Sequence, residues 1–112
     1  MKELKTWTGI SFKYSGSITS EIDIRYGKNR PAKLTESHCE MLRMFINPLK
    51  GNEIFINSSR DKDFEGGLGQ WLKANVTKTA IASYISSILV NEGYASYSTF
   101  YPADKAGKIK FN

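Results

Sequence analysis

Apolar and polar positions alternate early in the chain: Ile10, Phe12 and Tyr14 with Ser11 and Lys13, then Ile22, Ile24 and Tyr26 with Asp23 and Arg25. A two-residue period puts each set on one face of a strand, and Ser15, Gly16 and Ser17 supply turn residues between them, so the pattern predicts an amphipathic hairpin. An isolated hairpin is marginal in water, so its apolar face is expected to cover the rest of the domain or a partner subunit. Gly27, Lys28, Asn29, Arg30 and Pro31 read as a basic connecting loop.

From Thr35 the period lengthens. Thr35 suits an N-cap, Glu36 follows at the positive end of the helix dipole, and His38, Met41, Leu42, Phe45 and Leu49 recur at helical spacing. Pro48 disfavours helical geometry at Asn47 and ends the regular part. The run Glu53, Ile54, Phe55, Ile56 is too short for a helix and reads as a strand, followed by a polar loop over 57–62. Asp63 can cap a second helix with Phe64, Leu68, Trp71 and Leu72 on one side, but Gly66, Gly67 and Gly69 each cost a helix about 1 kcal/mol relative to Ala and move its start toward Leu68.

Residues 71–94, WLKANVTKTAIASYISSILVNEGY, are the most informative. Trp71 and Leu72 close one helix, Ala74 and Asn75 read as a tight turn, Val76 as an apolar plug and Thr77 as the cap of a third helix. Ile81, Ile85, Ile88 and Leu89 form its apolar stripe, leaving Lys78, Thr79, Ser83, Tyr84, Ser86 and Ser87 elsewhere around it. Gly93 suits the left-handed position after a helix, with Tyr94 as the accompanying apolar contact. A second hairpin then runs from Ala95 to Tyr101 and from Lys108 to Asn112 around the loop 102–107.

This order of helix, strand, helix, helix, strand and strand resembles the winged helix-turn-helix superfamily of DNA-binding domains over residues 33–112. The expected fold class is α+β: a winged helix-turn-helix of three helices and a C-terminal β-wing, with residues 1–32 as an extra N-terminal hairpin. The resemblance implies a recognition helix over 77–91 that reads the major groove and a wing that meets phosphates. The expected DNA contacts are Lys73, Thr77, Lys78, Thr79, Ser83, Tyr84 and Ser87 on or beside that helix, Lys105, Lys108 and Lys110 in the wing, and Lys28 and Arg30 in the first loop.

Charge adds a partner class to this picture. The 112 residues carry a net charge of +5, with seven Lys/Arg against three Asp/Glu in 1–35, four against six in 36–70 and five against two in 71–112. Basic patches suit a polyanion, because neutralised phosphates release counterions. Length and composition are those of one ordinary globular domain. The chain shows no apolar run of membrane-spanning length and no signal-peptide pattern, which points to the cytoplasm and the nucleoid within it. Cys39 is the only cysteine and His38 the only histidine. No metal-ligand spacing, nucleophile–base pair or phosphate-binding glycine motif stands out, so neither an enzyme nor a cofactor is expected.

The sequence therefore predicts a double-stranded DNA-binding protein, a small transcriptional regulator or repressor acting as a homodimer, with the N-terminal hairpin as its self-association or protein-contact surface. Two alternatives stay open: a winged-helix protein-interaction module, adaptor or inhibitor, and a plasmid or phage replication or segregation protein.

Overall fold

The computed structural model describes residues 1–56, 66–99 and 107–112, and it is α+β, with three α-helices and two antiparallel sheets. The first sheet is larger than the predicted hairpin. Strands β1 (Lys2–Lys5), β2 (Ser11–Gly16), β3 (Ile22–Tyr26) and β4 (Arg30–Leu34) pair in sequential order. The two added strands, KELK and RPAKL, lack the alternation that marks a half-buried strand, and pairing with β2 and β3 recruits them. The residues read as a basic loop are thus a tight turn, in which Asn29 takes a left-handed backbone at φ 63°, followed by the edge strand β4 with Pro31. Gly16 ends β2 at φ 91°, where a Cβ would run into the Glu21 carbonyl.

Helix α1 (Glu36–Ile46) starts as expected. Thr35 Oγ1 accepts from the His38 amide at 3.2 Å, while His38 Nδ1 accepts from the Thr35 amide at 3.3 Å. The only histidine therefore closes a capping box. Its buried stripe is Cys39, Leu42 and Ile46, and Met41, expected inside, is exposed. A 3-10 turn over Asn47–Leu49 carries Pro48, and β5 (Glu53–Phe55) follows.

Helix α2 (Leu68–Asn75) starts at the predicted glycine boundary, capped by Gly67. Asp63 and Phe64, named for its start, lie outside the described residues. Trp71 stacks on Phe45 with ring centroids 5.0 Å apart, tying α2 to α1. The turn read at Ala74 and Asn75 is displaced. Both are helical, and the Asn75 amide donates to the Trp71 carbonyl at 2.9 Å instead of taking a left-handed backbone.

Helix α3 spans Ala82–Asn91, not 77–91. Thr77 does not cap it, because Thr77 Oγ1 accepts from the Thr79 amide at 3.3 Å in an irregular loop and that local bond competes with helix. After Gly93 at φ 85°, β6 (Ala95–Thr99) and β7 (Lys108–Phe111) form with β5 a sheet in the order β5-β7-β6. The far end of the predicted strand, Phe100 and Tyr101, lies outside the described residues.

One continuous apolar core joins both sheets and all three helices. The apolar face of β2 and β3 lies in it: Phe12, Tyr14, Ile22 and Ile24 are buried, Tyr26 is half-buried and Ile10 is exposed. The surface expected to mediate self-association is therefore used inside the chain, where it packs against α3 and α1. No helix among the described residues is long and apolar enough to cross a membrane.

Candidate nucleic-acid interface

The expected recognition helix is the most enclosed of the described helices. Ala82, Ile85, Ser86, Ser87, Ile88 and Leu89 are all buried. Tyr84 is wedged against Phe12 at 5.0 Å and Tyr26 at 4.9 Å between ring centroids. Burial, with Tyr26 nearby, pushes its phenol up from its ordinary pKa. Ser87 Oγ donates to the Lys5 carbonyl at 3.0 Å and lies 2.8 Å from the Tyr97 hydroxyl. Ser86 Oγ donates to the Ser83 carbonyl at 2.9 Å, leaving Ser83 half-buried. A helix with six of its ten residues buried and only Asn91 exposed has no free face to enter a groove. The small hydroxyl residues that read as a polar front are satisfied by backbone and a tyrosine, and the first sheet covers them.

The other expected contacts divide by location. Lys28 and Arg30 are exposed at the β3–β4 turn, and Lys78 and Thr79 are exposed in the loop before α3, with Thr77 half-buried beside them. Lys73 is half-buried in the last turn of α2. Lys108 is half-buried with Nζ 4.8 Å above the Phe55 ring, whereas Lys110 is exposed opposite Glu53 and Ser96. Lys105 lies outside the described residues.

Strand register decides which of these share a surface. Lys5 faces Ser11, Lys13 faces Arg25 and Tyr26 faces Arg30, so one end of the first sheet carries Lys5, Lys13 and Arg25 on its outer face, Arg30 on the other face beside Tyr26, and Lys28 in the turn between. Tyr84 on Tyr26 brings the first turn of α3, and the loop with Lys78, to the same end. Gly107 against Trp7 and Ile56, and Ser87 between Lys5 and Tyr97, bring the Lys108 end of β7 there as well. Among the described residues, the carboxylate placed with these seven cations is Glu3. Lys5, Lys13, Lys28, Arg30 and Lys78 make no ion pair with another described residue, so their charge is available to a ligand.

The opposite end is acidic. The β2–β3 turn and the starts of α1 and β3 bring together Glu21, Asp23, Glu36, Glu40 and Glu92, with Lys2, Lys33 and Arg43 among them. Glu21 pairs with Lys33 at 3.9 Å on the surface. Glu92 Oε1 accepts from Ser17 Oγ at 2.9 Å and from the Ile18 amide at 3.1 Å, while its Oε2 accepts from the Tyr14 hydroxyl at 3.4 Å. Burial raises the Tyr14 phenol pKa, the Asn91 amide bonded to it at 3.0 Å works against that, and Glu92 adds to it. The Cys39 thiol is also pushed up by burial, with Arg43 opposing.

Sequence reasoning missed Lys5, Lys13 and Arg25. Lys13 and Arg25 occupy outward positions of the predicted hairpin, a signal that names a face but gains meaning only with register. No protein-family model, no curated protein and no solved structure matches the chain.

Proposed function

We propose that the chain is a double-stranded DNA-binding protein of winged-helix type that grips the sugar-phosphate backbone with its basic end. The carrying observation is that, among the described residues, seven cations stand against one carboxylate around the end where β1 to β4, α3 and β7 meet, on both faces of the first sheet. The order α1, β5, α2, α3, β6, β7 and the sheet order β5-β7-β6 support the winged-helix reading. Insertion of α3 into a groove is not part of the proposal, because its side chains are engaged inside. Contact falls to Lys5, Lys13, Arg25, Lys28, Arg30 and Lys108, with Lys78 and Thr79 as the only expected readers next to α3 that are exposed. Such a surface takes most of its affinity from phosphates and little from base edges.

The test is duplex binding at rising salt. Five or six phosphate contacts give a slope of log K against log salt of about −5. A slope near zero, or no binding at low salt, contradicts the reading. One observation favours a second reading, a protein-interaction module: Met41 and Met44 stand exposed on α1, Met44 at 68%. Salt-independent capture of a protein partner through Met44 would support it.

A further inference from the structure

On the outer face of the first sheet, at its basic end, lies a cleft of about 230 Å³ lined by Glu3, Ser11, Lys13, Arg25, Gly27 and Asn29. Its shape follows from register. Glu3, Lys13 and Arg25 form one row across β1, β2 and β3, with Arg25 Nη1 donating to the Ile24 carbonyl at 3.3 Å. One step further along the strands, Ser11 and Gly27 are small and the surface drops. Asn29, in its left-handed turn conformation, bounds the far side.

We infer that this cleft receives the phosphorylated 5′ end of a DNA strand, an inference that rests on the reading of the basic end as a DNA surface. Sites for drug-sized ligands occupy roughly 300–1,000 Å³, so this smaller one suits a single phosphate with its sugar. A phosphate monoester carries about −1.5 to −2 charge near neutral pH, whereas an internal diester carries one negative charge. With Lys13 and Arg25 outnumbering Glu3, the monoester gains nearly twice as much from the same field. The Arg25 fork suits two phosphate oxygens, and Glu3 can accept from a sugar or base donor on the same nucleotide.

The experiment compares one short duplex with 5′-phosphate and with 5′-hydroxyl ends, labelled at the 3′ end, by fluorescence anisotropy. The phosphorylated duplex should bind about tenfold more tightly, as one charge-assisted contact allows, and Arg25→Gln and Lys13→Gln should each abolish the difference without changing the melting temperature. Equal binding of both duplexes overturns the inference and leaves the DNA-binding reading intact. If neither duplex binds, that reading fails, and amide shifts on adding a nucleoside 5′-monophosphate or inorganic phosphate decide the cleft. Shifts at Ser11, Gly27 and Asn29 with the nucleotide, lost in Arg25→Gln, uphold it as a phosphate-monoester site; no shifts, or equal shifts with inorganic phosphate, overturn it.

Discussion

Helix α3 is held in two ways at its two ends. At its start, Tyr84 is clamped by the rings of Phe12 and Tyr26, and the surrounding charges are cations. At its close, Glu92 collects hydrogen bonds from Ser17, Ile18 and Tyr14, and the surrounding charges are mostly carboxylates. Both charge sets run against the helix dipole, which favours anions near a helix start and cations near its finish. The start of α1 accounts for Glu36, but nothing in the packing of α3 accounts for Lys28, Arg30 and Lys78 around its own start. Helix stability does not explain this segregation; the DNA proposed for the basic end would.

Both ends of α3 lean on the first sheet. A chain lacking residues 1–34 should show no cooperative melting, because Phe12, Tyr14, Ile18, Ile22, Ile24 and Leu34 belong to the single core. A truncated chain that melts cooperatively would show that the first sheet is an appendage.

Charge reversal separates the ends by function. Lys28→Glu, Arg30→Glu and Lys78→Glu together should weaken duplex binding by about a hundredfold or more at moderate salt and flatten the salt slope by about three units. The melting temperature should hardly move, since all three side chains are exposed. Glu21→Lys with Glu40→Lys, at the other end, should leave the slope unchanged.

Single truncations compare how each end is fastened. Tyr84→Ala removes the ring between Phe12 and Tyr26 and should cost about 2–4 kcal/mol by chemical denaturation. Glu92→Ala leaves the Ile18 amide and Ser17 hydroxyl without their acceptor and should cost about 1–3 kcal/mol. If Glu92→Ala proves the costlier, the polar clamp and not the ring clamp is the main anchor of α3.

The smallest effect lies in alkali. Tyr14, Tyr84 and Cys39 all have folded-state pKa values raised by burial. Each therefore contributes stability that is present below its unfolded pKa and is lost as pH rises through the folded value. The melting temperature should fall from about pH 8.5 for the thiol and pH 10 for the phenols, and Tyr14→Phe with Tyr84→Phe should blunt the fall above pH 10. An unchanged alkaline fall in that double variant would remove both phenols from the account.

What could be read from sequence was local. Thr35 with Glu36, Pro48, the glycines before Leu68 and Gly93 mark helix ends by backbone chemistry, and each mark falls at or next to an observed boundary. Phase and environment were less legible. The TKTA stretch at 77–80 reads as a helix start only if Thr77 is free to cap, and it bonds Thr79 instead. Ser86 and Ser87 look like a solvated front, yet their short hydroxyls find acceptors inside. The basic end was the least legible feature, because Lys5, Lys13 and Arg25 share a face through strand register, while Arg30 and the loop with Lys78 come to the other face through Tyr26, whose ring meets Tyr84 58 positions along the chain.

The most direct measurement is a backbone amide shift map of the full chain titrated with a short random duplex. The account predicts shifts concentrated at residues 5–13, 25–30, 78–82 and 107–108, with 17–21, 36–40 and 91–93 unmoved. Shifts centred on the acidic end or on Met41 and Met44, or none at all at low salt, would contradict it.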